Sequence, residues 1–204
     1  ILLGLQSEVL DHRGVRYAYR KVPMILRPFQ KPHPPLWYGL SHLAGAEWAA
    51  TNKANVLANG PCDATLPLFQ RYREVWQRTH GGAPMPKMGI GRHVVVAPTD
   101  AQAEALARPA YAAWYASLTK LWRDFGALPI RFARDFDEAR ERGITIAGTP
   151  GRVREEIERQ IPASGCTYFV CRLMFGGMSE DQAGASIDLF AADVMPHLAK
   201  LAPR

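Results

Sequence analysis

Apolar and polar positions alternate along this chain with two periods, and the switches between them divide it into strand–helix units. Pro28, Pro32, Pro34 and Pro35 bar a helix and deliver the chain extended into a first strand, Pro35-Leu36-Trp37-Tyr38-Gly39, an apolar run. Pro and Gly bound that run, as expected of a buried parallel strand. Ser41 offers an N-cap, and Leu43 to Ala54 has helical composition. A second strand is expected at Asn55–Asn59, closed by Gly60-Pro61. Leu66, Phe69, Tyr72, Val75 and Trp76 then recur at three- and four-residue spacing, which predicts an amphipathic helix over 63–80. A third strand is expected from Gly89 to Ala97, centred on Val94-Val95-Val96.

Pro98-Thr99-Asp100 reads as a turn and cap, and a helix is expected from Ala101 to Phe125, kinked or split at Pro109. With the irregular stretch 126–148 it makes a helical excursion over 99–148, a candidate lid. Thr149-Pro150 opens the next helix, and Gly165 stops it. The fourth strand is Thr167–Phe175, and Ser179 caps a final helix. Strands alternating with helices predict an α/β fold with a parallel sheet. Four βα units are half of an eight-stranded (β/α)8 barrel of the TIM type, and an open doubly wound sheet also fits. No strand is followed by Gly-x-Gly-x-x-Gly, which disfavours a dinucleotide fold.

Composition narrows the function classes. With 48% hydrophobic and 22% charged residues among 204, the chain resembles an ordinary folded domain rather than a disordered tail. It has no apolar stretch of about 18 residues and no visible signal peptide. Three cysteines (Cys62, Cys166, Cys171) are too few and too odd for a disulfide scaffold, and a reducing, cytoplasmic setting is expected. Their spacing suits no metal site. Net charge is +6, with +4 of it in residues 1–40. There Tyr, Pro and apolar residues separate the basic groups, which predicts a solvated loop and no nucleic-acid partner. The chain starts at Ile1 in what reads as the middle of a helix, as a piece of a longer protein would.

Ligands of parallel α/β folds sit at the carboxyl ends of the strands. At the first of these, Gly39-Leu40-Ser41-His42 leads into a helix rich in small residues, Ala44-Gly45-Ala46. Free amides and the positive helix end suit a phosphate there, and a plain N-cap serine accounts for the same spacing. His42 is either a phosphate or substrate contact or a surface histidine. Asn59 is a substrate-side candidate or an amide that satisfies its own turn. Arg172, a charge within a strand, needs an ion-pair partner or an anionic ligand. Arg92 and His93 fall early in their strand, where structural roles are expected. Tyr111, Trp114, Tyr115 and Trp122 are core residues or part of a substrate cover.

Arg27 through Gly39 resembles the segment leading into the fifth barrel strand of luciferase-like flavin monooxygenases, and Ser41–Ala50 resembles their flavin-phosphate turn and helix. Leu10–Gly14, Thr99–Ala105, Gly148–Val153, Phe175–Ser179 and Leu189–Pro196 match in the same order. The resemblance implies a (β/α)8 barrel of which this chain supplies strands five to eight, holding reduced FMN or a deazaflavin. It makes Ser41 the phosphate hydroxyl, with Gly39, Leu40, His42, Ala44 and Gly45 forming the rest of the turn. Related luciferases place a second hydroxyl where this chain has Ala44 and Gly45, so backbone amides substitute. It further implies a monooxygenase acting on a small-molecule substrate, supplied with reduced FMN by a flavin reductase, and a homo-oligomer. A half-barrel acting through association with another chain is the competing expectation, and a sugar-phosphate barrel enzyme the third.

Overall fold

The computed structural model describes residues 1–126 and 132–199. The chain forms two compact units, Ile1–Trp37 and Tyr38–Arg204. In the first, a short helix α1 (Leu2–Gln6) precedes an antiparallel hairpin of β1 (Val9–Arg13) and β2 (Ala18–Pro23). This corrects the expectation of a loop for the basic segment. The Asp11 carboxylate accepts the Lys21 amide across the hairpin at 3.0 Å, and Glu8 pairs with Arg27 at 3.1 Å. Nearly every residue of both strands is exposed, so periodic burial gave the sequence no strand signal.

The second unit is built on a five-stranded sheet running β3 (Trp37–Gly39), β4 (Asn55–Ala58), β5 (Met88–Val96) and β6 (Thr145–Gly148), with β7 (Tyr168–Arg172) also paired to β5. The pairs β4–β5, β5–β6 and β5–β7 are all parallel, and helices connect the strands: α2 (Leu43–Thr51), α3 (Cys62–His80), α4 (Asp100–Asp124), α5 (Phe136–Glu141) and α6 (Pro150–Ser164). After β7 come α7 (Glu180–Leu189), a π-helical turn (Phe190–Val194) and α8 (Met195–Leu198). The strand–helix alternation agrees with the sequence, and the sheet does not close on itself. Helix α4 runs through Pro109 without splitting, and β6 is a strand the sequence reading did not foresee. Residues 127–131 of the excursion, including Leu128-Pro129, lie outside the described residues.

β5 organises this sheet. All nine of its residues are buried. One edge of β5 receives the Val56 amide at the Lys87 carbonyl (2.9 Å) and, further on, gives the His93 amide to the Ile144 carbonyl (3.2 Å). Alternate peptides of a strand face the same side, so β6 takes over the edge where β4 ends. The other edge takes β7, from Gly89↔Tyr168 to His93↔Arg172. Beyond that pairing, the Val96 amide donates to the Ser186 hydroxyl at 2.8 Å, so α7 satisfies what β7 no longer reaches.

The helices pack against this frame for reasons visible in their residues. Ala46, Ala49 and Ala50 of α2 are buried in the cluster that holds Phe69, Tyr72 and Trp76 of α3, where small side chains let the two helices approach. The Tyr72 hydroxyl donates to the Ala54 carbonyl at 2.8 Å, and burial pushes its ionisation up to about 12. Ser179 and Gln182 form the reciprocal cap of α7. Between β7 and α7, Gly176 has φ +58° and its α-carbon faces the backbone of α4; a Cβ there would lie 2.0 Å from the Ala110 carbonyl oxygen. Strain and a backbone collision coincide at this junction. Gly176→Ala is expected to destabilise the protein by about 3 kcal/mol or more in chemical denaturation. A loss below about 1 kcal/mol would contradict this close approach of β7–α7 to α4.

Candidate functional site

The ends of β3, β4, β5 and β7 surround a cavity of about 820 Å³, large for a ligand pocket but within the usual range. One rim is Gly39, Leu40 and Ser41, the run from β3 toward α2. The N-cap of α2 is His42 rather than Ser41: its imidazole Nδ1 accepts the Gly45 amide at 2.9 Å. Accepting there leaves the other ring nitrogen, Nε2, as the free hydrogen-bonding atom. Ser41 is thereby released from capping, and its side chain is exposed at the rim. The amides of Leu43 and Ala44 stand in the first helical turn, where no carbonyl precedes them in the helix. Gly45 is there for space: a Cβ would meet the Tyr38 ring at 3.0 Å and the His42 ring at 3.1 Å. Of the small residues read as clearance for an anion, Ala44 is exposed in the turn, whereas Ala46 is taken up by the core.

The floor is polar. Arg172, the last residue of β7, donates from Nη2 to Oδ1 of Asn59, just beyond β4. This hydrogen bond between side chains replaces the ion pair that the sequence offered as one reading of Arg172, and it engages Asn59 beyond its own turn. The bond crosses β5 above Gly91, where a Cβ would come within 2.5 Å of both the Arg172 Nη2 and the Asn59 Oδ1. Gly91 is thus the gap that lets a guanidinium lie across the central strand. Burial depresses the Arg172 pKa, and the charge of Arg92 depresses it further.

Successive side chains of a strand face opposite ways, and Arg92 and His93 show it. Arg92 is fully buried among the helices. It donates from Nε to Gln160 Oε1 at 2.7 Å and from Nη1 to the Gly91 carbonyl at 2.9 Å. Its Nη2 lies 3.7 Å from Cys62 Sγ. Gln160 in turn donates to the Gly143 carbonyl and to Glu156. Arg92 is structural, as expected. His93 is not confined to that role: it lines the cavity. It does so because its place along β5 is later than the sequence suggested: the pairing with β7 ends at His93 while three further residues pair with β6. His93 therefore stands at the carboxyl end of the β5–β7 pairing. Its two ring nitrogens have no hydrogen-bond partner, and neither has the Thr145 hydroxyl in the register position beside it on β6.

The opposite wall is aromatic. Trp114 and Phe175 lie 4.4 and 4.5 Å from the His93 ring, and Tyr111 donates its hydroxyl to the Ala133 carbonyl at 2.8 Å. Tyr111 is core, whereas Trp114, Trp122 and Phe132 are only partly covered and line the cavity. Among the described residues no cluster of His, Cys, Asp or Glu could hold a metal, and no helix is long and apolar enough to cross a membrane.

Burial first, and Arg172 second, hold the His93 pKa down at about 3, from an ordinary value of 6.5. Folded His93 is neutral, and the unfolded chain takes up the proton first. Stability is therefore expected to fall as pH drops from about 6.5 towards 3, by about 1.4 kcal/mol per unit at most from this residue, and to be flat above that window. In urea melts at pH 4 and pH 7, His93→Phe should shrink the difference between the two pH values; an unchanged difference would contradict a neutral, desolvated imidazole.

Three comparisons place this fold. An uncharacterized protein, y4wF, of Sinorhizobium fredii is 33% identical over 184 residues, covering 89% of this chain and 54% of that protein. The chain thus spans about half the length of this curated relative. The monooxygenase RslO1 of Streptomyces bottropensis superposes with a TM-score of 0.76 at 21% identity, over 97% of this chain and 58% of that one. The oxygenating constituent of 3,6-diketocamphane monooxygenase of Pseudomonas putida, solved with FMN, gives 0.65 at 17% identity, over 93% and 58%. The coenzyme F420-dependent tetrahydromethanopterin reductase of Methanopyrus kandleri gives 0.63 at 16% identity, over 96% and 60%. These likenesses establish an α/β fold shared with luciferase-like barrels. The luciferase-like monooxygenase profile matches residues 1–167, and the chain belongs to that family.

Proposed function

We propose that this chain forms the cofactor-phosphate side of a flavin-dependent monooxygenase, with reduced FMN as cofactor and a deazaflavin as the alternative. The observation that carries the reading is the turn after β3: Ser41 is free of capping duty and stands on the cavity rim at the start of α2. A phosphate there is met by the Ser41 hydroxyl, by the first-turn amides of Leu43 and Ala44, and by the positive end of the helix. Gly39 and Leu40 carry the chain to the rim, and the ring of His42 offers Nε2. FMN in a solved relative of the same fold supports the first cofactor, and F420 in another supports the alternative.

Reduced flavin supplies the reaction with oxygen, so no triad or carboxylate pair is required of the protein. The residues of this chain bind and shield. The wall of Trp114, Trp122 and Phe132 excludes water from the cavity. Asn59 and Arg172 orient a small organic substrate at the floor. The rest of the barrel, a reductase as the source of reduced FMN, and a homo-oligomer in the cytoplasm complete the proposal. An open five-stranded sheet favours a second reading, a half-barrel that works by association with another chain.

Anaerobic titration of the native-length protein with reduced FMN and with reduced F420 separates the two. Saturable binding of either is expected, and Ser41→Ala should weaken it about tenfold, the cost of one hydrogen bond to a charged group. Failure to bind both cofactors would overturn the flavin reading and leave association.

A further inference from the structure

The floor of the cavity holds more polar chemistry than a phosphate turn at its rim requires. Arg172 is a half-buried cation with a neutral partner, Asn59, and no carboxylate among the described residues pairs with it. A half-buried guanidinium with one neutral partner keeps further N–H donors for an acceptor. Next to it in register lies His93, 0% exposed, with both ring nitrogens unpartnered. Unsatisfied buried groups of this kind are rare and call for a partner, and here they lie against the cavity. The gap above Gly91 serves the same end, since any side chain there would displace the guanidinium. Trp114 stands over His93 at 4.4 Å, and Trp122 and Phe132 continue the wall. A planar apolar body fits against that wall with its polar end on the floor.

We propose that Arg172, held across Gly91 by Asn59, and His93 form an oxyanion subsite, and that the substrate is a planar, largely apolar molecule carrying an anionic oxygen: an aromatic carboxylate, enolate or phenolate. The inference deepens the flavin reading and rests on it only for the view that the cavity is a reaction site. Arg172 supplies the charge, and the neutral imidazole supplies one N–H donor. Arg172 is here a specificity residue, and Asn59 positions it. The same oxygen chemistry is offered by the carbonyl edge of a flavin, so the test must tell the two sources apart.

The probes are 2-naphthoate and its neutral isostere 2-naphthamide, titrated calorimetrically into the native-length protein with and without FMN. Naphthoate is expected to bind at least about tenfold more tightly than the amide. Arg172→Gln should abolish that preference, Arg172→Lys should keep most of it, and Gly91→Ala should reduce it. Equal affinity of the two probes for the wild-type protein overturns the proposal whatever the variants do, as does a preference that survives Arg172→Gln. A preference seen without FMN but lost once FMN binds, with Arg172→Gln weakening FMN itself, assigns the subsite to the flavin and overturns the substrate assignment. Naphthoate preference in a protein that binds neither FMN nor F420 upholds the subsite and overturns the flavin reading alone.

Discussion

A single buried strand has to satisfy three neighbours here, and the positions of the polar groups follow from that. β5 is closed to solvent along its whole length. Every one of its peptide groups therefore needs a partner from protein. β4 serves the start of one edge and β6 the end of it, while β7 serves the opposite edge only as far as His93. The place where these pairings change hands is also the place where the sheet meets the cavity. A strand of uniform pairing would have put residue 93 in the middle of a wall; the exchange puts it where β7 lets go, on the cavity lining.

Two guanidiniums lie close to this point and are treated oppositely. Arg92, turned toward the helices, is given Gln160, the Gly91 carbonyl and the neighbourhood of Cys62, and Glu156 stands behind Gln160. Its donors are occupied, as a structural charge requires. Arg172, turned toward the cavity, has Asn59. Burial lowers the Arg172 pKa, and the charge of Arg92 adds to it. One charge is fully furnished by the fold, and the one beside it is sparsely furnished. The alternation of side chains along a strand makes the difference, since Arg92 and His93 are adjacent in sequence yet serve separate compartments.

Much of the architecture was legible. The alternation of apolar runs and amphipathic helices specified parallel β/α order, because burial on both faces of a strand and on one face of a helix leaves distinct periods. Thr149, Ser179 and Gly165 marked helix ends where the structure places them, since caps act within a few residues. The hairpin of β1 and β2 was not legible, as its strands bury almost nothing and their pattern obeys backbone pairing alone. The turn after Gly39 was located correctly, but its cap was assigned to the hydroxyl residue rather than to His42, because cap preference ranks residue types and cannot see which ring fits over Gly45.

The sequence by itself showed the parallel strand–helix order of the second unit apart from β6, and it offered the family resemblance and the candidates Ser41, Asn59 and Arg172, because each is read from neighbours a few positions away. Tertiary structure alone decided that Asn59 and Arg172, 113 residues apart, share a hydrogen bond, that Gly91 is the space beneath it, and that the β5–β7 pairing ends at His93. Those facts depend on strand register, and register is fixed by the packing of the whole sheet rather than by any local run of residues.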